Sequence, residues 1–412
     1  MTDAEALDDR PATRYDLDRP LPLHRLVHHP DGDEVTVGRP DTDSYGIFPP
    51  DGAELVRRLE QGMTPRDAVA WYRSAYHESV DIDDVIAALD ELGFVRSPDE
   101  PAAAPLGPVR WRRLGAAVFS APAMVLYAAV VVWAVLAAAR RPDLVPSYRN
   151  VFFTDYYTVI QAALFVAAVP QLLLHEAFHA LAGRRLGLRS RLSVGRRLYF
   201  IVLETSLDGL VAVPRRKRYL PIVAGMLVDV VVMAALTIAA DLTRVPGGAL
   251  SGAGRFCLAF AFAVLLRILW QFSFYLRTDL YVLVATALGC VDLHTTAKRL
   301  LSNRVNGLLG RARRYDESDW HPVDRRVARW YSWLIVAGYT LSLVTFALAV
   351  TPILWGMVTG VLGRFTEGGA TWPELLDSLV FSGFVLSQLA VLGWLSIRDR
   401  RRGERRLRHV IA

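Results

Sequence analysis

Six stretches of this chain are apolar on every side for longer than a buried helix of a small domain requires. They run at about 114–139, 156–182, 219–242, 256–276, 330–355 and 376–397. A hydrocarbon core of ~30 Å takes ~20 residues of helix to cross, so the pattern predicts about six transmembrane helices. Ahead of them the pattern is different. "DEVTV" and "SYGIF" alternate with the period of strands, and three short helices follow, each with a polar start. Asp51 precedes Glu54, Thr64 precedes Pro65 and Asp67, and Asp81 precedes Asp84, so side-chain oxygens stand ready for the unpaired amides of each first turn. Gly93 closes the third helix, and "GFVR" reads as a returning strand. The expected fold class is mainly α: a polytopic membrane protein of about six transmembrane helices with a small N-terminal α+β, winged-helix-like cytoplasmic domain. The expected boundaries are 1–97 for that domain, 98–113 for a linker, 114–300 for the membrane core, and 301–412 for a cytoplasmic loop with two C-terminal transmembrane helices. The linker contains "SPDEPAAAPLGP", whose Pro and Ala content makes a semi-stiff tether.

Composition agrees with a membrane protein. Of 412 residues 53% are hydrophobic, and ten are tryptophan; the mean hydropathy is +0.26. The net charge of +6 hides a division: residues 1–113 carry 13 Lys/Arg against 23 Asp/Glu, a net −10, which leaves +16 for the rest. The loops divide as well. Segments 184–218, 298–329 and 398–408 hold 10, 9 and 7 basic residues, whereas 140–155, 243–255 and 357–375 hold 3, 2 and 1. Cytoplasmic loops are the ones enriched in Lys and Arg, so the expected localisation is a multi-pass protein of the cell membrane with both termini cytoplasmic. "RDRRRGERRLR" near the C-terminus then reads as a topology anchor beside membrane lipid. The N-terminus lacks the basic-then-apolar pattern of a secretory signal. Cys257 and Cys290 are too few for a disulfide framework. No phosphate-binding Walker loop appears, which argues against energy-driven transport by this chain itself.

One apolar stretch carries chemistry. "QLLLHEAFHALAGRRLG", 171–187, holds His175 and His179 four residues apart, hence on one face of a helix and about one turn from each other. That spacing lets two imidazoles reach one zinc ion, while Glu176 can face a water bound to it as a general base. His, His and Glu within one turn of a membrane helix are each expensive there, which favours function over packing. His175 lies ~12 Å inside the cytoplasmic end at 1.5 Å per residue. Asp229 and Arg267 both fall near mid-bilayer, where charges face a partner, and they are expected to pair with each other.

The combination of "HEAFHALAGRRLG", "PIVAGMLVD" at 221–229 and an aspartate after a later span resembles the site-2 protease family of intramembrane zinc metallopeptidases, over roughly 156–300. The resemblance implies that His175 and His179 bind Zn2+, that Glu176 is the catalytic residue activating water, and that an aspartate on a later helix completes the metal site. Two aspartates compete. Asp208 stands in "SLDGL", the Leu-Asp-Gly form the family commonly shows, and Asp279 stands in "LRTDLYVL" with leucine where glycine is expected. Asp279 is preferred, because Asp208 follows the first zinc helix by about thirty residues in a stretch that reads as a β-hairpin, whereas Asp279 comes where the fourth span returns to the depth of His175. Asp208, His294 and Glu204 stay open as alternatives. Ala224, Gly225 and Asp229 match the family's small-residue pair with a polar residue beyond it, although asparagine is commoner at the last place.

Residues 25–97 resemble the PqqD-like peptide-chaperone domains, which implies recognition of a leader segment through an exposed sheet edge. A winged helix also raises DNA binding, but a net charge of −10 opposes phosphate contacts, and no nucleic-acid partner is expected. The function these readings favour is a membrane-embedded zinc metalloprotease (a hydrolase) acting on a peptide or membrane-protein substrate, in maturation or export of a ribosomally synthesised peptide. Peptide-modifying enzymes or an exporter would be its further partners. The competing functions are a non-catalytic membrane adaptor for a modified peptide and a site-2-type regulator that cleaves a membrane-bound signalling protein.

Overall fold

The computed structural model describes residues 15–32, 34–39, 42, 44–97, 108–197, 200–290, 292–318 and 320–411, and their side chains except at 31, 194–204, 396 and 399–411. Most of the predicted linker, 98–107, lies outside the described residues. The chain divides into two compact units: Met1–Arg112 with Gly183–Arg191 and Leu207–Arg218, and Arg113–Ala182 with Leu192–Ser206 and Tyr219–Ala412.

In the first unit an antiparallel meander, β1 (Val27–Asp31), β2 (Glu34–Arg39) and β3 (Ser44–Phe48), precedes α1 (Pro50–Glu60), α2 (Pro65–Tyr76) and α3 (Ile82–Glu91). β2 is central, with Val37 opposite His28 on one side and Gly46 on the other. The sheet and helices close over a core of Val37, Leu55, Val56, Leu59, Ile86 and Leu89, each at most 2% exposed. α2 and α3 begin as their sequence predicts: Thr64 Oγ1 accepts from the Asp67 amide, and Asp81 accepts from the amides of Asp83 and Asp84. α1 does not. Its start is set by Pro49 and Pro50, with no side-chain cap, and Asp51 instead accepts a hydrogen bond from the buried Tyr72 hydroxyl. That carboxylate, helped by burial, pushes the phenol up to about 12. Two further differences from the sequence reading stand out. β1 was not expected, and "GFVR" contributes one isolated bridge, Val95 to Leu23, in place of a strand. In the same unit the 3-10 turn Leu210–Ala212 packs against β1 and β2.

The rest of the chain is mainly helical. α4 (Arg112–Val118) is followed by α5 (Ala121–Arg140), α6 (Tyr157–Arg185), the paired strands β4 (Arg189–Arg197) and β5 (Phe200–Asp208), α7 (Arg215–Leu242) and α8 (Gly252–Trp270). Then come α9 (Asp279–Leu288), α10 (Leu293–Leu308), α11 (Pro322–Thr345), α12 (Thr351–Thr366) and α13 (Trp372–Ile411), with a π-helical turn, Phe346–Val350, joining α11 to α12. The protein is therefore mainly α, and among the described residues six helices are long and apolar enough to cross a membrane: α5, α6, α7, α8, α11 continued through α12, and the first 24 residues of α13. Only about a tenth of the apolar window of α5 and of α6 is buried within the protein. Side chains such as Val125, Leu126, Phe165 and Val166 are more than half exposed, a surface suited to lipid rather than to water.

Two spans end elsewhere than hydropathy predicts. The fourth was expected to reach 276, but α8 stops at Trp270, and 271–278 leaves the helix before α9 begins. The fifth was expected to cover about 26 residues, yet it is continuous from Pro322 to Thr366. α9 and α10 meet at 94° and are together apolar enough to form a seventh, broken segment.

Candidate metal centre

α6 brings His175 and His179 onto one face, and their neighbours fix both rings. The Pro221 carbonyl of α7 lies 2.7 Å from His179 Nδ1; a carbonyl only accepts, so this nitrogen carries the proton. Asp229 Oδ2, two turns further along α7, lies 2.9 Å from His175 Nδ1 and makes the same demand. Each neutral imidazole therefore presents a bare Nε2. The two Nε2 atoms stand 3.1 Å apart.

The third donor arrives from α9. Asp279 Oδ2 lies 3.3 Å from His175 Nε2 and 3.4 Å from His179 Nε2. Asp279 is the first residue of its helix, and the break before it is what aims the carboxylate. Arg277 takes the left-handed conformation at φ 55°, and Thr278 Oγ1 donates to the Gln271 carbonyl at 2.6 Å. The Gln271 side chain then grips Asp279 twice, donating to Oδ2 at 3.0 Å and accepting from its amide at 3.1 Å.

With both rings neutral, three acceptor atoms converge, an arrangement suited to a cation. Four ligands held tetrahedrally at 2.0–2.1 Å are about 3.3 Å apart along each edge, and the triangle here has edges of 3.1, 3.3 and 3.4 Å. His175, His179 and Asp279 can hold a metal ion on one face of a tetrahedron. A Cβ built on Gly225 would fall on the Nε2 atoms of both histidines, so only glycine fits there.

Glu176, buried beside the first histidine, is tied to the hairpin. Its Oε2 accepts from the Thr205 amide of β5 at 2.9 Å, and Thr205 Oγ1 donates to the Glu176 carbonyl at 3.1 Å. The expected ion pair between Asp229 and Arg267 is present at 3.3 Å, but Asp229 does more than neutralise an arginine. It also accepts from Gln171 Nε2 at 2.8 Å while holding His175.

The rival third ligands go elsewhere. Asp208 pairs with Arg191 Nε at 3.0 Å at the end of β5, and its neighbour Gly209 supplies a left-handed turn at φ 81°. His294, in α10, packs edge-on to Tyr281 of α9. The Glu204 side chain lies outside the described residues. Sequence reasoning passed over Gln171, Thr205, Pro221 and Gln271. Gln171 and Gln271, as amides inside apolar runs, carried a readable signal; Thr205 and Pro221 act through the backbone and carried none.

In comparisons with protein-family models, curated proteins and solved structures, nothing matches this chain.

Proposed function

We propose that this protein is a membrane-embedded zinc metallopeptidase that hydrolyses a peptide bond, with His175, His179 and Asp279 as metal ligands and Glu176 as the general base. The observation that carries this reading is the triangle of His175 Nε2, His179 Nε2 and Asp279 Oδ2, with edges of 3.1 to 3.4 Å, one residue away from a buried glutamate. Its donor set, two imidazoles and one carboxylate, is the composition of a catalytic rather than a structural zinc site.

Zinc held by these three residues supplies a Lewis acid and a water acidic enough to serve as nucleophile near neutral pH. Glu176 accepts the proton of the attacking water and delivers it to the leaving amine. The Thr205 amide occupies one lone pair of Oε2, which holds the carboxylate in one rotamer and leaves Oε1 for the proton. Asp229 and the Pro221 carbonyl keep both Nδ1 atoms protonated, so that neither ring turns away or presents an N–H to the metal. Gln271 holds Asp279 by two hydrogen bonds and spares it the entropy of a free side chain.

The substrate class follows from the N-terminal resemblance: a ribosomally synthesised peptide recognised by residues 25–97, in maturation or export, with both termini cytoplasmic. The decisive experiment compares wild type with Glu176→Gln and His175→Ala in purified form, measuring bound zinc and peptide cleavage together. Zinc retained with cleavage lost in Glu176→Gln, and both lost in His175→Ala, is the expected result. Equal metal content in all three refutes the metal site, and equal cleavage refutes the enzyme.

A further inference from the structure

Between α10 and the start of α11 lies a cavity of about 780 Å³ whose lining includes Arg304, Arg313, Arg325 and Arg329, with Glu317 as its one carboxylate. The fold fixes where this lining stands. Buried Asn303 pins the loop after α10: its Oδ1 accepts from the amides of Arg314 and Tyr315, both at 3.1 Å, and its Nδ2 donates to the Tyr315 carbonyl at 2.9 Å and to Glu317 Oε1 at 3.2 Å. Arg304 ties α10 to α11, donating to Ser332 Oγ at 2.8 Å and to the Arg329 carbonyl at 3.2 Å, and Arg325 reaches the Glu317 carbonyl at 3.4 Å. None of the four guanidiniums has an ion-pair partner among the described residues. Like charges held around one cavity repel one another until an anion lies between them.

The second observation says which anion. Arg325 and Arg329 stand one turn apart on α11, and after Arg329 the chain carries no Asp, Glu, Lys or Arg until Arg364. The cavity therefore lies where that helix turns apolar enough to enter a membrane. Trp330 and Trp333 follow at once, both exposed, and tryptophan favours the boundary between water and lipid; Arg304 lies 6.0 Å from the Trp333 ring. On α10, Val305, Leu308 and Leu309 share one face and are all exposed, Leu308 at 88%. Gly307, among them, lines the cavity itself. A soluble phosphate ester or an acidic peptide answers the arginines and leaves that apolar face in water. A phospholipid of net negative charge answers both, its phosphate among the guanidiniums and its chains along the apolar side chains.

We infer that this cavity binds the headgroup of an anionic phospholipid, with Arg304, Arg313, Arg325 and Arg329 supplying the charge and Val305, Leu308 and Leu309 meeting the acyl chains beside it. Basic pockets next to transmembrane helices are suited to such headgroups, and guanidinium forks match phosphate oxygens in pairs. Bound lipid holds the corner between α10 and α11 against the membrane surface.

The probe is short-chain phosphatidylglycerol, added to the full-length protein in non-ionic detergent at constant ionic strength, with the thermal transition as readout. Short-chain phosphatidylcholine has the chains and the phosphate without the net charge, and glycerol phosphate has the charge without the chains. Phosphatidylglycerol is expected to raise the transition temperature along a saturating curve, phosphatidylcholine to leave it unchanged, and glycerol phosphate to act only at concentrations about tenfold higher or more. Arg313→Ala combined with Arg329→Ala removes two exposed side chains that have no hydrogen bond or ion pair among the described residues. A basic side chain near an anionic lipid contributes about fivefold in affinity, so this double variant should move the midpoint of the titration about thirtyfold. Arg311→Ala combined with Arg326→Ala takes the same charge from outside the lining and should leave the midpoint near that of wild type. Equal losses in the two double variants would assign the effect to diffuse charge, and phosphatidylcholine as effective as phosphatidylglycerol would assign it to the chains alone. Glycerol phosphate or polyglutamate as effective as the lipid would assign the cavity to a soluble ester or an acidic protein. Each of these results, or a flat phosphatidylglycerol curve, overturns the inference.

Discussion

The two ends of α6 each gather buried charge, and they treat it in opposite ways. At the first turn Asp377, from α13, accepts from the amides of Tyr157 and Thr158 at 2.8 and 2.9 Å, and Arg364 reaches the same carboxylate at 3.1 Å while its guanidinium lies 4.4 Å from the centre of the Tyr157 ring. Both carboxylate oxygens there have donors. About 27 Å along the same helix, eighteen residues on at 1.5 Å each, three acceptor atoms face one another, and of these only Asp279 Oδ2 has a donor, the Gln271 amide. Satisfied polar clusters fix a fold, and a cluster left wanting a cation marks where the molecule meets something else. The difference teaches how to sort the buried charges of this protein without appeal to relatives: count donors against acceptors.

The comparison breaks most sharply at Gly225. Gly225→Ala places a methyl on both Nε2 atoms, and bound zinc is expected to fall below detection by metal analysis, while the thermal transition stays near that of the metal-free wild type. Zinc retained in this variant would mean that the two rings do not converge. At the other end, Asp377→Ala strips the first turn of its cap and leaves Arg364 without its carboxylate. Breaking a buried ion pair from one side costs about 3–5 kcal/mol, and thermal unfolding in detergent should show that loss with zinc content per folded protein unchanged. A parallel fall in zinc affinity would erase the distinction between the two ends. Asp229→Asn sits between these cases. It keeps an acceptor for His175 but removes the charge, and groups that orient a metal-binding imidazole typically contribute about 10–100-fold in affinity. A competition titration against a zinc chelator should find that drop.

Much of this contrast was legible in the sequence and some was not, for reasons that particular residues make plain. The spacing of His175 and His179 is a property of one helix and can be read from the chain. Asp279 was reachable because hydropathy brings the chain back to the same depth. The break that aims it was missed because Phe272, Phe274 and Leu276 carry the apolar run through to 276, although the Gln271 amide, where the helix stops, was a readable sign; Arg277 beyond it is left-handed. "SLDGL" shows the reverse error that a motif invites. There Gly209 serves a turn and Asp208 pairs with an arginine, and Asp208 is not in the metal-capable group found among the described residues. β1 was missed because "VHHPD" has neither strong alternation nor β-branched density, although Asp31 and Gly32, with Gly32 at φ 72°, mark the hairpin that makes it a strand. Contacts through backbone atoms, such as Thr205 on Glu176 and Pro221 on His179, leave no trace in residue type at all.

Arg267→Leu gives the smallest and most discriminating effect. Arg267 approaches Asp229 at 3.3 Å and is a quarter exposed, whereas Asp229 is fully buried. Removing the guanidinium takes away one of three partners of that carboxylate, and Gln171 and His175 remain. A lost hydrogen bond to a charged group contributes about 1.5–3 kcal/mol, so the thermal transition should drop by less than in Asp377→Ala, where the arginine's partner vanishes outright. Zinc affinity should move the other way. Without the nearby positive charge the Asp229 carboxylate pulls harder on the His175 Nδ1 proton, and Nε2 becomes a better donor to the metal. A variant that is less stable without zinc but binds it as tightly as wild type, or more tightly, would show that this charge cluster serves the centre; unchanged stability would show that the ion pair contributes nothing to the fold.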